Sequence, residues 1–132
     1  MAEHYHAHLD VFVDRKPVPV AAGIGVDPKT GNLSPLHTHD TRGVIHIETD
    51  EPGATYTLGQ LFKEWDVALT AGQIGALKTG GGEVLAAYVN GRKTGGDPAA
   101  IVFKPHMEIA LVHGTPDPSF TPPATYRFAP DE

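Results

Sequence analysis

The residues of this chain best suited to chemistry are its histidines. Six of the eight lie within the first 46 positions, in His4-Tyr5-His6-Ala7-His8, His37-Thr38-His39 and the single His46. Neutral imidazole is the commonest side-chain ligand of transition metals. On an extended segment residues i and i+2 project from one face, so a His-x-His pair on a strand can grip an ion from one side. Cysteine is absent, which excludes a thiolate nucleophile, a disulfide and a Cys-ligated zinc site. Any metal must therefore be held by nitrogen and oxygen donors.

A lone His-x-His reads equally well as a solvated polar face, and the grouping is what tips the balance. His6, His8 and His46 each sit opposite the apolar residues of an alternating segment. Adjacent strands would let their imidazoles converge across about 5 Å of strand spacing. His37 and His39 stand at the loop end just before the third strand, where binding residues collect. The expected ligands are His8, His37, His39 and His46, with His6 next. Asp10, Asp40 and Glu48 are candidate oxygen ligands or partners that fix an imidazole tautomer. His106, after Lys104-Pro105, reads as a turn residue, and His113, before Gly114, as a strand end.

All-nitrogen ligation favours Cu(II), with Zn(II) and Fe(II) as the other candidates. The favoured function is metal binding or delivery. The rival is a mononuclear metalloenzyme, either three histidines and a water on zinc or two histidines and Asp40 or Glu48 on iron. A module with an unused His-rich face is the third reading. Thr38-His39-Asp40 is not a hydrolytic triad, because neighbours on an extended chain cannot all face one another, and no Gly-x-Ser-x-Gly occurs.

The elements that must carry these residues are short. Leu9, Val11 and Val13 alternate with His8, Asp10 and Asp14 as in a half-buried strand. Arg15-Lys16-Pro17 then reads as a turn into an edge strand at Val18-Pro19-Val20. A Gly- and Pro-rich loop over 21–35 leads to the second His pair, and Val44 to Glu48 forms the next strand. Thr57 to Trp65 is the helix, with Thr57 and Gln60 as a capping box and Leu58, Leu61, Phe62 and Trp65 as its apolar stripe. Trp65 is expected on the sheet face opposite the histidines. Residues 72–82 read as a glycine-rich connection, Glu83 to Val89 as a strand, Asn90-Gly91 as a hairpin turn and Ile109 to Val112 as a buried strand.

At 132 residues the chain reads as a single His-rich metal-binding domain, with a core over about 5–114 and a Pro-rich tail over 115–132 that runs across the surface. The net charge of −6 and the lack of any Lys/Arg run exclude nucleic acid and an anionic membrane surface as partners and suit a cation. No apolar run reaches the about 18 residues of a membrane segment. Self-association into a homo-oligomer stays open. With 15 glycines and 12 prolines, short strands and turns are favoured over long helices.

Several stretches together resemble a group of uncharacterised exported or membrane-anchored bacterial and archaeal His-rich domains. They are His6-Ala7-His8-Leu9-Asp10-Val11-Phe12-Val13, Gly23-Ile24-Gly25, Ser34-Pro35-Leu36-His37-Thr38-His39-Asp40, Gly43-Val44-Ile45-His46-Ile47-Glu48, Thr57-Leu58-Gly59-Gln60 and Tyr88-Val89-Asn90-Gly91. The resemblance spans most of residues 4 to 114 and implies an extracytoplasmic setting, with a precursor whose leader is not in this sequence. It implies no activity. Some members carry cysteines in the region of Ala71 to Leu77, which this chain lacks. His37-Thr38-His39 is similar to the His-x-His of cupins, but the glutamate expected a few residues on is missing. The order of elements points to an α+β class: one β-rich domain, a β-grasp-like mixed sheet with one covering helix. A small β-barrel or a cupin-like jelly roll is the alternative.

Overall fold

Apolar–polar alternation produces a strand at the N-terminus, and that strand is the axis of the molecule. The computed structural model describes residues 1–132. Strand β1 (Glu3–Val13) pairs antiparallel with β4 (Val44–Thr49) on one side and parallel with β10 (Glu108–Gly114) on the other. Outside β4 lies β3 (Leu36–His37), and beyond β10 lie β8 (Val84–Val89) and β9 (Arg92–Thr94). The order β3-β4-β1-β10-β8-β9 is that of an open mixed sheet, with β2 (Lys16–Val18) paired to the far end of β1. The central parallel pair and the helix connecting β4 to β8 fulfil the β-grasp-like α+β expectation. The open edges exclude a barrel.

Helix α1 (Leu58–Trp65) starts where the capping box places it. The Gln60 amide donates to Thr57 Oγ1 at 3.3 Å, and the Thr57 amide donates to Gln60 Oε1 at 2.7 Å. It stops at Asp66, which takes a left-handed conformation with φ 60°. Leu58, Leu61 and Phe62 are buried against Ala7, Leu9, Ile45, Ile47, Ile109 and Leu111. Trp65 packs at the margin of this core, its ring 5.2 Å from that of Phe62. The helix thus claims the odd-numbered residues of β1, and alternation turns His4, His6, His8 and Asp10 to the other face.

Two segments differ from the sequence expectation. The turn after β1 is Asp14-Arg15, both at positive φ (51° and 68°), so β2 begins at Lys16 and ends at Val18. A two-residue turn of that conformation matches strand twist and outweighs the Pro17 signal. Residues 69–78 fold into a small antiparallel sheet of β5 (Leu69–Thr70), β6 (Gln73–Ile74) and β7 (Leu77–Lys78) instead of a plain connection. The tail over 115–132 lies as a strap on the face away from the helix. Phe120 meets Phe12 edge-on at 5.1 Å, and Tyr126 stacks flat on His8 at 3.6 Å. Phe128 stacks on His106 at 4.5 Å, and Glu132 accepts from Arg42 Nη2 at 2.9 Å. Its aromatic residues give the strap an apolar inner side, which the proline content conceals.

Candidate metal centre

Strand register builds the site. His46 on β4 stands directly opposite His6 on β1 and directly opposite His37 on β3, so three imidazoles form one row across three neighbouring strands. His39 lies two residues beyond His37. Between them Thr38 turns inward and is fully buried; its hydroxyl donates to the Ala21 carbonyl at 2.7 Å and accepts from the Ile24 amide at 3.1 Å. Further main-chain bonds run from the Gly23 amide to the Thr38 carbonyl and from the Thr38 amide to the Ile24 carbonyl, both at 3.0 Å. The Gly- and Pro-rich loop thus works as a brace, and with Thr38 fixed inward, His37 and His39 both turn toward His46. Gly25 is required for this: its φ is 69°, and a side chain there would collide with the Leu36 carbonyl.

The rings of His37, His39 and His46 are in mutual contact. Centroids lie 4.9 Å apart for His37 and His39, 5.2 Å for His37 and His46, and 4.6 Å for His39 and His46. One nitrogen from each lies within 4.8 Å of the others. Zinc–imidazole bonds of about 2.0 Å place tetrahedral ligand atoms roughly 3.3 Å apart. His39 is the exposed member of the three, free to adjust as an ion binds.

His37 carries the clearest sign of a ligand. Its ring is wholly buried and its Nδ1–H donates to the Ser34 carbonyl at 2.8 Å, which fixes the tautomer and leaves a lone pair on Nε2. That Nε2 is buried and has no hydrogen-bond partner. A polar atom left so costs about 1–3 kcal/mol, and an ion held with His39 and His46 would satisfy it. The nearest carboxylate, Glu48 Oε1, is 3.7 Å away and lies closer to His4 Nε2, at 3.3 Å.

Electrostatics keep the cluster ready for a cation. Burial, followed by the neighbouring His6, His39 and His37, pulls His46 down to a pKa of about 4. Burial and then His4 lower that of His6. Both imidazoles are therefore neutral at physiological pH, the state that coordinates. His6 Nε2 and His46 Nδ1 lie 3.1 Å apart; in the tautomer in which His46 donates its Nδ1–H to His6, Nε2 is the atom His46 offers an ion.

Of the five expected ligands, then, His37, His39 and His46 come together and His6 stands behind His46. His8 belongs to a different group. It meets Glu108 and Asp10 on the β10 side of β1, its Nδ1 2.5 Å from Glu108 Oε1 and 3.5 Å from Asp10 Oδ2. Asp40 is engaged by the amide and Nε of Arg42, both at 2.9 Å. His106 is the turn residue expected, with φ 56° and its Nε2–H donating to the Glu132 carbonyl. His113 is a strand residue whose Nε2–H donates to the Lys78 carbonyl at 2.9 Å. Glu108 is the residue the sequence reading omits. Its signal was a charge at the head of the apolar run Ile109 to Val112.

Compared with family models, curated proteins and solved structures, the chain matches none.

Proposed function

We propose that this chain binds a first-row transition-metal ion through His37, His39 and His46, with His6 supporting His46, and that it serves in metal binding or delivery. The observation that carries this reading is the buried, unpartnered Nε2 of His37, fixed in its tautomer by the Ser34 carbonyl and facing two further imidazoles. Exposure of His39 supports delivery over permanent storage, since one ligand at the surface gives an ion a way in and out. Cu(II) is the favoured ion, because nitrogen sites hold it more tightly than Zn(II) or Fe(II). The extracytoplasmic setting implied by the sequence resemblance agrees with copper.

The test uses protein purified without an affinity tag, with metal content measured after dialysis against Cu(II) and against Zn(II). The His37→Ala/His39→Ala variant should hold one tight ion fewer than the parent while keeping the parent's circular-dichroism spectrum. Undiminished occupancy in that folded variant would overturn the assignment.

A further inference from the structure

A second group of donor atoms lies on the same face, one strand across. We infer that His8, Asp10 and Glu108 form a separate site for a divalent cation that accepts oxygen ligands, of the Zn(II), Mn(II) or Fe(II) class. The inference goes beyond the three-histidine centre and does not depend on it, since no residue is shared.

Register again creates the cluster. His8 on β1 stands directly opposite Glu108 on β10, and Asp10 follows two residues on, on the same face. One ligand atom from each of the three lies within 4.8 Å of the others. His8 is prepared as His37 is, in mirror image. Its Nε2–H donates to the Arg42 carbonyl at 2.6 Å, so Nδ1 carries the lone pair, and Nδ1 is the atom turned to the two carboxyl groups. Gly43 permits this approach: at φ 85° a side chain would strike the Leu9 carbonyl and crowd His8 Nε2.

Glu108 is 1% exposed, and its Oε2 is buried without any partner. Two carboxyl groups and one imidazole meet here with no cationic side chain to balance them. The guanidinium of Arg42, whose carbonyl accepts from His8, is committed to Asp40 and Glu132 at 2.9 Å each. Buried carboxyl groups are paired or coordinate metals; Glu108 Oε1 is met only by His8 Nδ1, and its Oε2 is left for an ion to satisfy. Tyr126, stacked on His8, closes the site from above, while Asp10, with 29% of its side chain exposed, leaves an approach at the edge. Metal–oxygen and metal–nitrogen bonds of about 2.1 Å set ligand atoms roughly 3 Å apart. Glu108 Oε1 must withdraw slightly from its 2.5 Å contact with His8 as an ion binds. One nitrogen and two carboxylates suit Mn(II), Fe(II) or Zn(II) better than Cu(II).

The experiment counts Zn(II) held per chain after equilibrium dialysis, for the parent, His37→Ala/His39→Ala, Glu108→Gln and Asp10→Asn, each checked for folding. Two tight ions are expected in the parent and one in each variant set, the loss of affinity at the second site exceeding the roughly 10–100-fold of an outer contact. If the parent holds one ion and only the His37/His39 variant loses it, the second site is refuted and the three-histidine centre stands. If the parent holds one ion and only the Glu108 and Asp10 variants lose it, the second site stands and the three-histidine centre falls. Two ions retained in folded Glu108→Gln refute the inference. Should that variant not fold, Asp10→Asn, at the exposed edge, decides by the same count.

Discussion

His37 and His46 face each other directly across β3 and β4, their ring planes 6° from parallel and their centroids 5.2 Å apart. They differ in what holds them. A main-chain carbonyl fixes His37, whereas another imidazole, that of His6, holds His46. The two hands of the site therefore have unequal stiffness, and perturbing each should have a different consequence.

His6→Ala should weaken metal binding without abolishing it, because His6 orients His46 and a lost orienting partner typically lowers affinity by roughly 10–100-fold. His37→Ala should remove the ion of this centre altogether. Competition against a chelator of known affinity separates the cases. Equal losses in both variants would mean that His6 is itself a ligand.

Without metal, stability should fall as the solution is acidified from about pH 6.5 to about pH 4. The sign follows from the lowered pKa of His46: its usual value is 6.5 and its folded value about 4, so over this range the unfolded chain binds the extra proton. His6 and His8, also lowered by burial, act in the same direction. After allowance for solvent screening the His46 contribution is about 2 kcal/mol. Urea unfolding of metal-free protein at pH 7 and pH 4.5 measures it, and His46→Gln should flatten the difference. A stability that does not change between these pH values would mean that the cluster is more hydrated than the geometry implies.

Local pattern was enough to read the helix, the central strand and the sidedness of the histidines from the sequence, because capping chemistry and period-2 alternation act over a few residues. Thr57, Gln60, Leu9, Val11 and His46 all fall where those rules put them. The choice between His6 and His8 was not legible. Both lie on one face of β1, and only the registers with β4 and β10 decide that His6 meets His46 while His8 meets Glu108. The strap was hidden for a related reason. Phe120, Tyr126 and Phe128 have no regular spacing, and their partners Phe12, His8 and His106 lie far away in the chain.

Glu108→Gln should change the pH dependence of metal-free stability on the alkaline side. Burial, with Asp10 adding to it, raises Glu108 to about 10 from its usual 4.5, so the folded chain keeps a proton that the unfolded chain releases. The contribution is fully present below pH 4.5 and is lost as pH rises toward 10. Glutamine cannot ionise, and the variant should gain on the parent between pH 5 and pH 9 in thermal unfolding with chelator present. The same offset at both pH values would show that Glu108 is ionised in the folded protein.

The helix separates scaffold from site. Leu61 is fully buried, and Leu61→Ala should cost about 2–5 kcal/mol, a large part of the ~5–15 kcal/mol of a typical domain. Trp65 is only partly buried, at the margin of the core beside Phe62, so Trp65→Ala should cost less, about 2 kcal/mol. Both side chains lie on the sheet face opposite His37, His39 and His46. In either variant, affinity for Zn(II) at a temperature where the protein remains folded should therefore match the parent while the midpoint of thermal unfolding drops. A change in affinity in folded Trp65→Ala would show that the two faces are coupled through β1 and β4, and that the helix positions the ligands as well as supporting the sheet.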